Sequence, residues 1–311
     1  MFNLNLRYIL FVFALFLFGV FFFSSEIFMP YLRQWKSNQL LHLSKVYQDE
    51  SISNESNLLG DGVRKARIAH LLDPSNLETR ENFIELLFRS KPTEALQKWA
   101  RIISTEEGTE ERKVNLLKRG IKTLRNDSLH IQERKISGEI AIIQLNSLTE
   151  IKGWLDSPDN SLLAAELLAE TGSAARSLQI VKNTLENHPT HSESIFLLTK
   201  LSVHLKDQTN LPFLGKKLAR LSSRKSKSGI EAIRHMTLLH ILNPLSQSSL
   251  IKCIELLQSN PHAEPIDFMR IHALQYEIAR NAEEKLNIIR KCGDKFDLDQ
   301  GKDLLIFSRW L

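Results

Sequence analysis

GVRKARIAHLLDP, residues Gly62 to Pro74, is the stretch on which the reading of the whole chain turns. Its small residues Gly62, Ala66 and Ala69 stand four and then three positions apart, and Pro74 follows five later. Positions four and seven apart share one helix face, so a neighbouring helix can approach closely along it, and proline stops the helix beyond. The same offsets return in SLQIVKNTLENHP, where Ser177, Val181, Thr184 and Pro189 take the four places, and in SLIKCIELLQSNP, with Ser249, Cys253, Leu256 and Pro261. A close-packing helix that recurs and each time ends on proline predicts stacked helix pairs, each with an apolar face that only the next pair can cover.

This pattern resembles the second helix of the tetratricopeptide repeat, with small residues at two positions, a bulky one between and a closing proline. The likeness is best at Asp73, Pro74, Ser75 and Asn76, and at Gly172, which sits where that family places glycine between its two helices. Prolines 74, 189 and 261 are 115 and 72 residues apart, near three and two repeats of about thirty-four residues with a few loop residues added. The family's Trp, Leu, Gly and Tyr signature is replaced before Gly172 by Ser161, Ala164, Ala165 and Leu168, and residues 105–157 are the least typical. Over roughly residues 59–311 the resemblance implies an all-α solenoid, a superhelix of antiparallel pairs. Its concave surface, lined by first helices such as 77–89, 161–170 and 192–205, would receive an extended or helical segment of a partner protein.

Composition agrees. Glycine and proline number only 12 and 9, and nine of the sixteen phenylalanines lie within the first twenty-nine residues, leaving a core of Leu, Ile and Ala to the remainder. Helices are predicted at 77–89, 92–104, 110–125, 129–146, 161–170, 174–187, 192–205, 211–222, 229–241, 247–258, 265–279 and 281–292. Ser75 with Glu78, Ser147 with Glu150, Thr190 with Glu193 and Ser228 with Glu231 have capping-box spacing, which predicts helix starts there.

Ahead of this body, Tyr8 to Ser25 is an eighteen-residue run without a charge, crowded with phenylalanine. As a helix it covers roughly 27 Å, and Ile27, Phe28 and Met29 extend it toward the thickness of a bilayer core. No small-x-small site follows, so the run reads as an uncleaved anchor over residues 1–29. Residues 30–58 then read as a juxtamembrane helix, Leu32 to Tyr47, and a flexible hinge, Asp49 to Asn57. Arg33, Lys36 and Lys45 are available to lipid headgroups. This predicts a single-pass membrane protein with residues 59–311 outside the cytoplasm, periplasmic if bacterial. At the far end Leu304, Leu305, Phe307, Trp310 and Leu311 read as the start of a further helix, one that docks on a partner or continues in a longer chain.

Sequence signatures of chemistry are missing: there is no GxSxG, phosphate loop, HExxH or dinucleotide fingerprint. His188, His191 and Glu193 have no third strong ligand at a characteristic spacing, and Cys253 and Cys292 form no CxxC pair. The expectation is therefore no catalytic, cofactor or metal site, and no small-molecule substrate. Lys216, Lys217, Arg220, Arg224, Lys225 and Lys227 form the densest basic stretch, a candidate anionic-surface patch whose plainer role is to complement a helix carboxy terminus. No aromatic residues interleave it, which excludes nucleic acid as the favoured partner. The reading is a membrane-anchored protein-interaction scaffold or assembly factor of a cell-envelope complex. The alternative is the non-catalytic helical part of a cell-wall or polysaccharide-processing enzyme.

Overall fold

The computed structural model describes residues 29–47, 56–105 and 109–293, together with residues 11, 13, 14 and 19. The hinge up to Glu55, the aromatic terminus from Leu304 and most of the phenylalanine-rich run lie outside them. Among the described residues all regular structure is helical, and no helix is long and apolar enough to cross a membrane. The chain falls into two compact units, residues 1–144 and 145–311.

The first unit holds α1 (29–47), α2 (Ser56–Leu72), α3 (Leu77–Ser90), α4 (Pro92–Thr105), α5 (Glu110–Leu124) and most of α6 (Ile131–Thr149). Each helix from α2 to α5 packs on the next. Gly62, Ala66 and Ala69 are all buried on α2, and Ala66 joins Phe83, Leu86, Leu87 and Ala95 in one cluster. Fully burying a leucine such as Leu86 contributes about 2 kcal/mol. Leu96, Ile103 and Leu116 continue the core.

The helix expected to be juxtamembrane is a packed member of this unit. Ser37, Leu40, Leu41 and Ser44 of α1 are buried, the Ser37 hydroxyl donates to the Ala69 carbonyl (2.9 Å), and Asn82 Nδ2 donates to Ser44 Oγ (2.7 Å). A Cβ on Gly62 would stand 3.3 Å from that of Tyr47, so α2 runs antiparallel to α1 with residue 62 beside 47 and residue 69 beside 37. Between α5 and α6 the approach is closer still: a Cβ on Gly120 would stand 2.7 Å from that of Ala141.

In the second unit a single 3-10 turn (Trp154–Asp156) leads into α7 (Pro158–Glu170) and α8 (Ala174–Asn187). Then follow α9 (Ser192–Leu205), α10 (Leu211–Ser222), α11 (Lys227–Leu239), α12 (Gln247–Ser259), α13 (Pro265–Ile278) and α14 (Ala282–Gly293). Consecutive helices pack together, and α9 also touches α7 and α11, so each added pair covers a face of the one before it. Ser177 is buried and donates to the Ala165 carbonyl (2.6 Å), which ties α8 to α7.

Helix ends follow local chemistry. Pro74, Pro189 and Pro261 are exposed, each two residues past its helix end, as expected of a residue that cannot continue a helix. Gly172, at φ 85°, takes the left-handed conformation that lets the Ser173 N–H reach back to the Leu168 carbonyl (2.7 Å). The starts depart from the capping-box spacing. Asn76, one residue after Ser75, caps α3, accepting from the Glu78 and Thr79 N–H groups. Ser226 rather than Ser228 caps α11, and His191 rather than Thr190 stands at the start of α9. Ser147 begins nothing: it lies in the last turns of α6, because nothing before it breaks the helix.

The third copy of the pattern is rotated. Cys253 is fully buried, but its deep neighbours are Leu250, Ile254 and Leu257, whereas Ser249 and Leu256 are half-buried. Leu250, Ile254 and Leu257 flank Cys253 in the cluster that joins α12 to α11 and α13.

Candidate docking groove

Helices α1, α3, α4 and α5 of the first unit line a groove of about 800 Å³. Glu78, Glu81 and Glu85 stand at i, i+3 and i+7 on α3, so all three carboxylates fall on one face. Lys45 enters from α1, Trp99 from α4, and Thr109, Glu111, Arg112 and Asn115 from the start of α5. Thr109 caps that helix, its hydroxyl accepting from the Arg112 N–H, and so fixes where Glu111 and Asn115 point.

Charge in the groove is partly neutralised. Lys45 Nζ lies 2.6 Å from Glu78, which places it against α3 and not toward headgroups. Arg119 pairs with Glu85 and stacks over the Phe88 ring, 4.4 Å from its centroid. Among the described residues Glu81 and Glu111 have no basic group within ion-pair distance. The groove therefore keeps two uncompensated carboxylates beside an indole, a surface suited to cationic and aliphatic side chains and to backbone amides.

A second polar cluster lies between α11 and α13. Arg234 grips Asp267 with two hydrogen bonds (Nε to Oδ1, 2.9 Å; Nη2 to Oδ2, 2.7 Å) and also pairs with Glu231 and Glu264. Arg270 adds a third donor to Asp267 at 2.8 Å, and the Glu264 N–H a fourth at 2.9 Å. The Asp267 side chain is wholly buried. Burial by itself would raise its pKa, but the Arg234 hydrogen bonds and charge outweigh that and hold the carboxyl below its usual range. Arg234, bonded to that carboxylate, is held above its ordinary value. With both carboxylate oxygens of Asp267 satisfied from within the protein, the cluster ties α11 to α13.

His235, next on α11, stacks on Phe196 with centroids 4.7 Å apart, and its Nδ1 lies 2.7 Å from the Glu231 carbonyl. Burial, with Lys200 and Arg270 nearby, pushes its pKa down to about 4, against the pull of Glu231. The unfolded chain takes up this proton near 6.5, so protons favour the unfolded state between the two values. The stability that His235 contributes is whole above pH 6.5 and is lost as pH falls toward 4, by about 3 kcal/mol. Urea denaturation across that window is expected to show this slope, and His235→Gln is expected to flatten it.

The basic stretch spans the end of α10, the turn after it and Lys227, the first residue of α11. Lys216, Arg220, Arg224, Lys225 and Lys227 are exposed. Lys217 instead donates to the Pro189 carbonyl (2.9 Å) and lies over Phe213. No acidic group of the described residues pairs with any of them. His188 lies 3.2 Å from the Asp156 carbonyl, and His191 contacts Asp159 and Ser194, so the turn's histidines have partners in the protein. Among the described residues no three His, Cys, Asp or Glu side chains come together as a metal site. Cys253 is a free, buried thiol, its pKa raised to about 11 by burial.

The sequence reading put residues 77–89, 161–170 and 192–205 on the expected concave surface, and it did not single out α1 or α5 as walls of a groove. The phase of Glu78, Glu81 and Glu85 was readable, whereas α1 docks through Ser37, Leu40, Leu41 and Ser44, a face that mixes serine with leucine and whose partners lie more than thirty residues away. No protein-family model matches the chain, and no curated protein matches it.

Proposed function

We propose that this chain is a membrane-anchored, tetratricopeptide-like interaction scaffold or assembly factor of a cell-envelope complex, and that the groove of α1, α3 and α5 receives a lysine- or arginine-bearing segment of a partner protein. The observation that carries the reading is the groove itself, lined from α1, α3, α4 and the start of α5 and holding Glu81 and Glu111, which among the described residues have no basic partner. Helical repeats bind extended or helical segments through many modest contacts along such a surface. The charge-free run Tyr8–Ser25 supports the anchor, and tethering would raise the effective concentration of a membrane partner.

The test places a photo-crosslinking side chain at Glu81 or Asn115 of the full chain in membranes, with Gln97, exposed on α4, as control. One protein is expected to be trapped from both groove positions and not from Gln97. Glu81→Lys with Glu111→Lys is expected to reduce trapping from Asn115 about tenfold, equivalent to roughly 1.4 kcal/mol, while leaving stability within about 0.5 kcal/mol. Equal trapping from Gln97 would sink the proposal.

A further inference from the structure

The first two turns of α1 leave the packed unit. Every residue from Met29 to Lys36 is exposed, and burial begins at Ser37. These turns carry Tyr31 (68 % exposed), Leu32 and Trp35 (62 %) with Arg33 and Lys36, and no acid. These eight exposed residues span about 12 Å of helix. Water meets the aromatic rings of these turns at a cost, and none of their side chains is buried.

A second apolar rim stands at the same end. The Ser37–Ala69 hydrogen bond and the antiparallel run of α2 set the last turn of α2 beside the point where α1 emerges, and the turn into α3 follows at once. Leu71 (66 % exposed) and Leu77 (52 % exposed) flank that turn. Tryptophan and tyrosine rings, aliphatic side chains and snorkelling Arg and Lys form the composition that suits the headgroup zone of a bilayer. The chain itself supplies the continuity, because only Glu26, Ile27 and Phe28 separate Met29 from the charge-free run that ends at Ser25.

We infer that the exposed start of α1, together with the α2–α3 turn beside it, is a lipid-facing surface that beds in the interfacial zone of a bilayer and holds the first helices of the packed unit at the membrane. The inference rests on the anchor reading of Tyr8–Ser25 and goes beyond it. A flexible leash would let the helical body roam, whereas α1 passes from the interface into the stack without a break and is pinned there at Ser37 and Ser44. The membrane position of α2 and α3 is then set by helix geometry.

The test uses the full chain with Cys253→Ala and Cys292→Ser, reconstituted in vesicles of phosphatidylcholine and phosphatidylglycerol. Nitroxide labels are placed at Tyr31→Cys, Leu71→Cys or Gln97→Cys, and collision with oxygen is compared with collision with a water-soluble nickel chelate. Labels at 31 and 71 are expected to meet oxygen several-fold more than nickel, and the label at 97 the reverse. Nickel access at 31 and 71, in protein that stays with the vesicles through alkaline carbonate, would overturn the inference and leave the anchor standing. Release of the protein by carbonate would overturn the anchor reading and the inference with it. Spin–spin broadening at 31 that vanishes when lipid is in large excess would assign the surface to a second copy of the chain, and would also overturn it.

Discussion

Gly229→Ala is expected to destabilise the protein by about 3 kcal/mol or more, measured by urea denaturation of the full chain in detergent. Gly229 lies in the first turn of α11, and its N–H donates to the capping hydroxyl of Ser226 (3.2 Å). A Cβ there would fall 1.8 Å from the Arg224 carbonyl oxygen and 2.9 Å from its carbon. Both obstructing atoms are backbone, so no rotamer change relieves the clash: the loop or the helix start must move, and the cap is lost with it. Conformational freedom is not the issue, since Gly229 has no positive φ. Gly215, on α10, is the matching control, because a Cβ added there meets nothing within 4 Å. Gly215→Ala is expected to gain up to about 1 kcal/mol from helix propensity. Shifts of the same sign in both variants would show that packing space is not what sets Gly229.

Asp267→Ala is expected to cost about 3–5 kcal/mol, because it strands Arg234, whose side chain is only 14 % exposed, with its best acceptor gone. Glu231 and Glu264 stay within reach of Arg234 but are better solvated, at 39 % and 64 % exposure, and replace a buried bidentate partner poorly. Replacing the pair together, Arg234→Met with Asp267→Leu, is expected to recover most of the loss, since an apolar contact between α11 and α13 needs no counter-charge. The double-mutant cycle checks this. A double variant no more stable than Asp267→Ala would mean that Asp267 acts through Arg270 or the α13 start, where it accepts from the Glu264 N–H, and not through Arg234.

The helices were legible because their ends are written locally. The proline after α2, α8 and α12 and the glycine between α7 and α8 act within a few residues, so boundaries such as 174–187, 192–205 and 211–222 can be read from the chain alone. Whatever depended on a distant neighbour was not legible. Asp267 looks like a surface acid of α13 until Arg234, thirty-three residues earlier, is placed against it. The need for glycine at 120 and 229 is set by Ala141 and by the Arg224 carbonyl, and no local pattern marks it. Ser249, Cys253 and Leu256 kept the offsets of the repeat while α12 turned a different face inward, since Leu250 and Leu257 outweigh a serine in the competition for burial. Of the groove, the acidic face of α3 was visible and its walls were not, because the place of α1 is set by partners more than thirty residues away, among them Ala69 and Asn82, and α5 belongs to the least repeat-like part of the sequence.

The buried sulfur of α12 gives the second unit a clock. A thiol that ionises only near pH 11 and has no water against it reacts with alkylating reagents when its helix lifts away and hardly otherwise. With Cys292 replaced by serine, the time course of iodoacetamide uptake at Cys253 would count spontaneous openings of this stretch of chain under wholly native conditions, without denaturant and without an added probe.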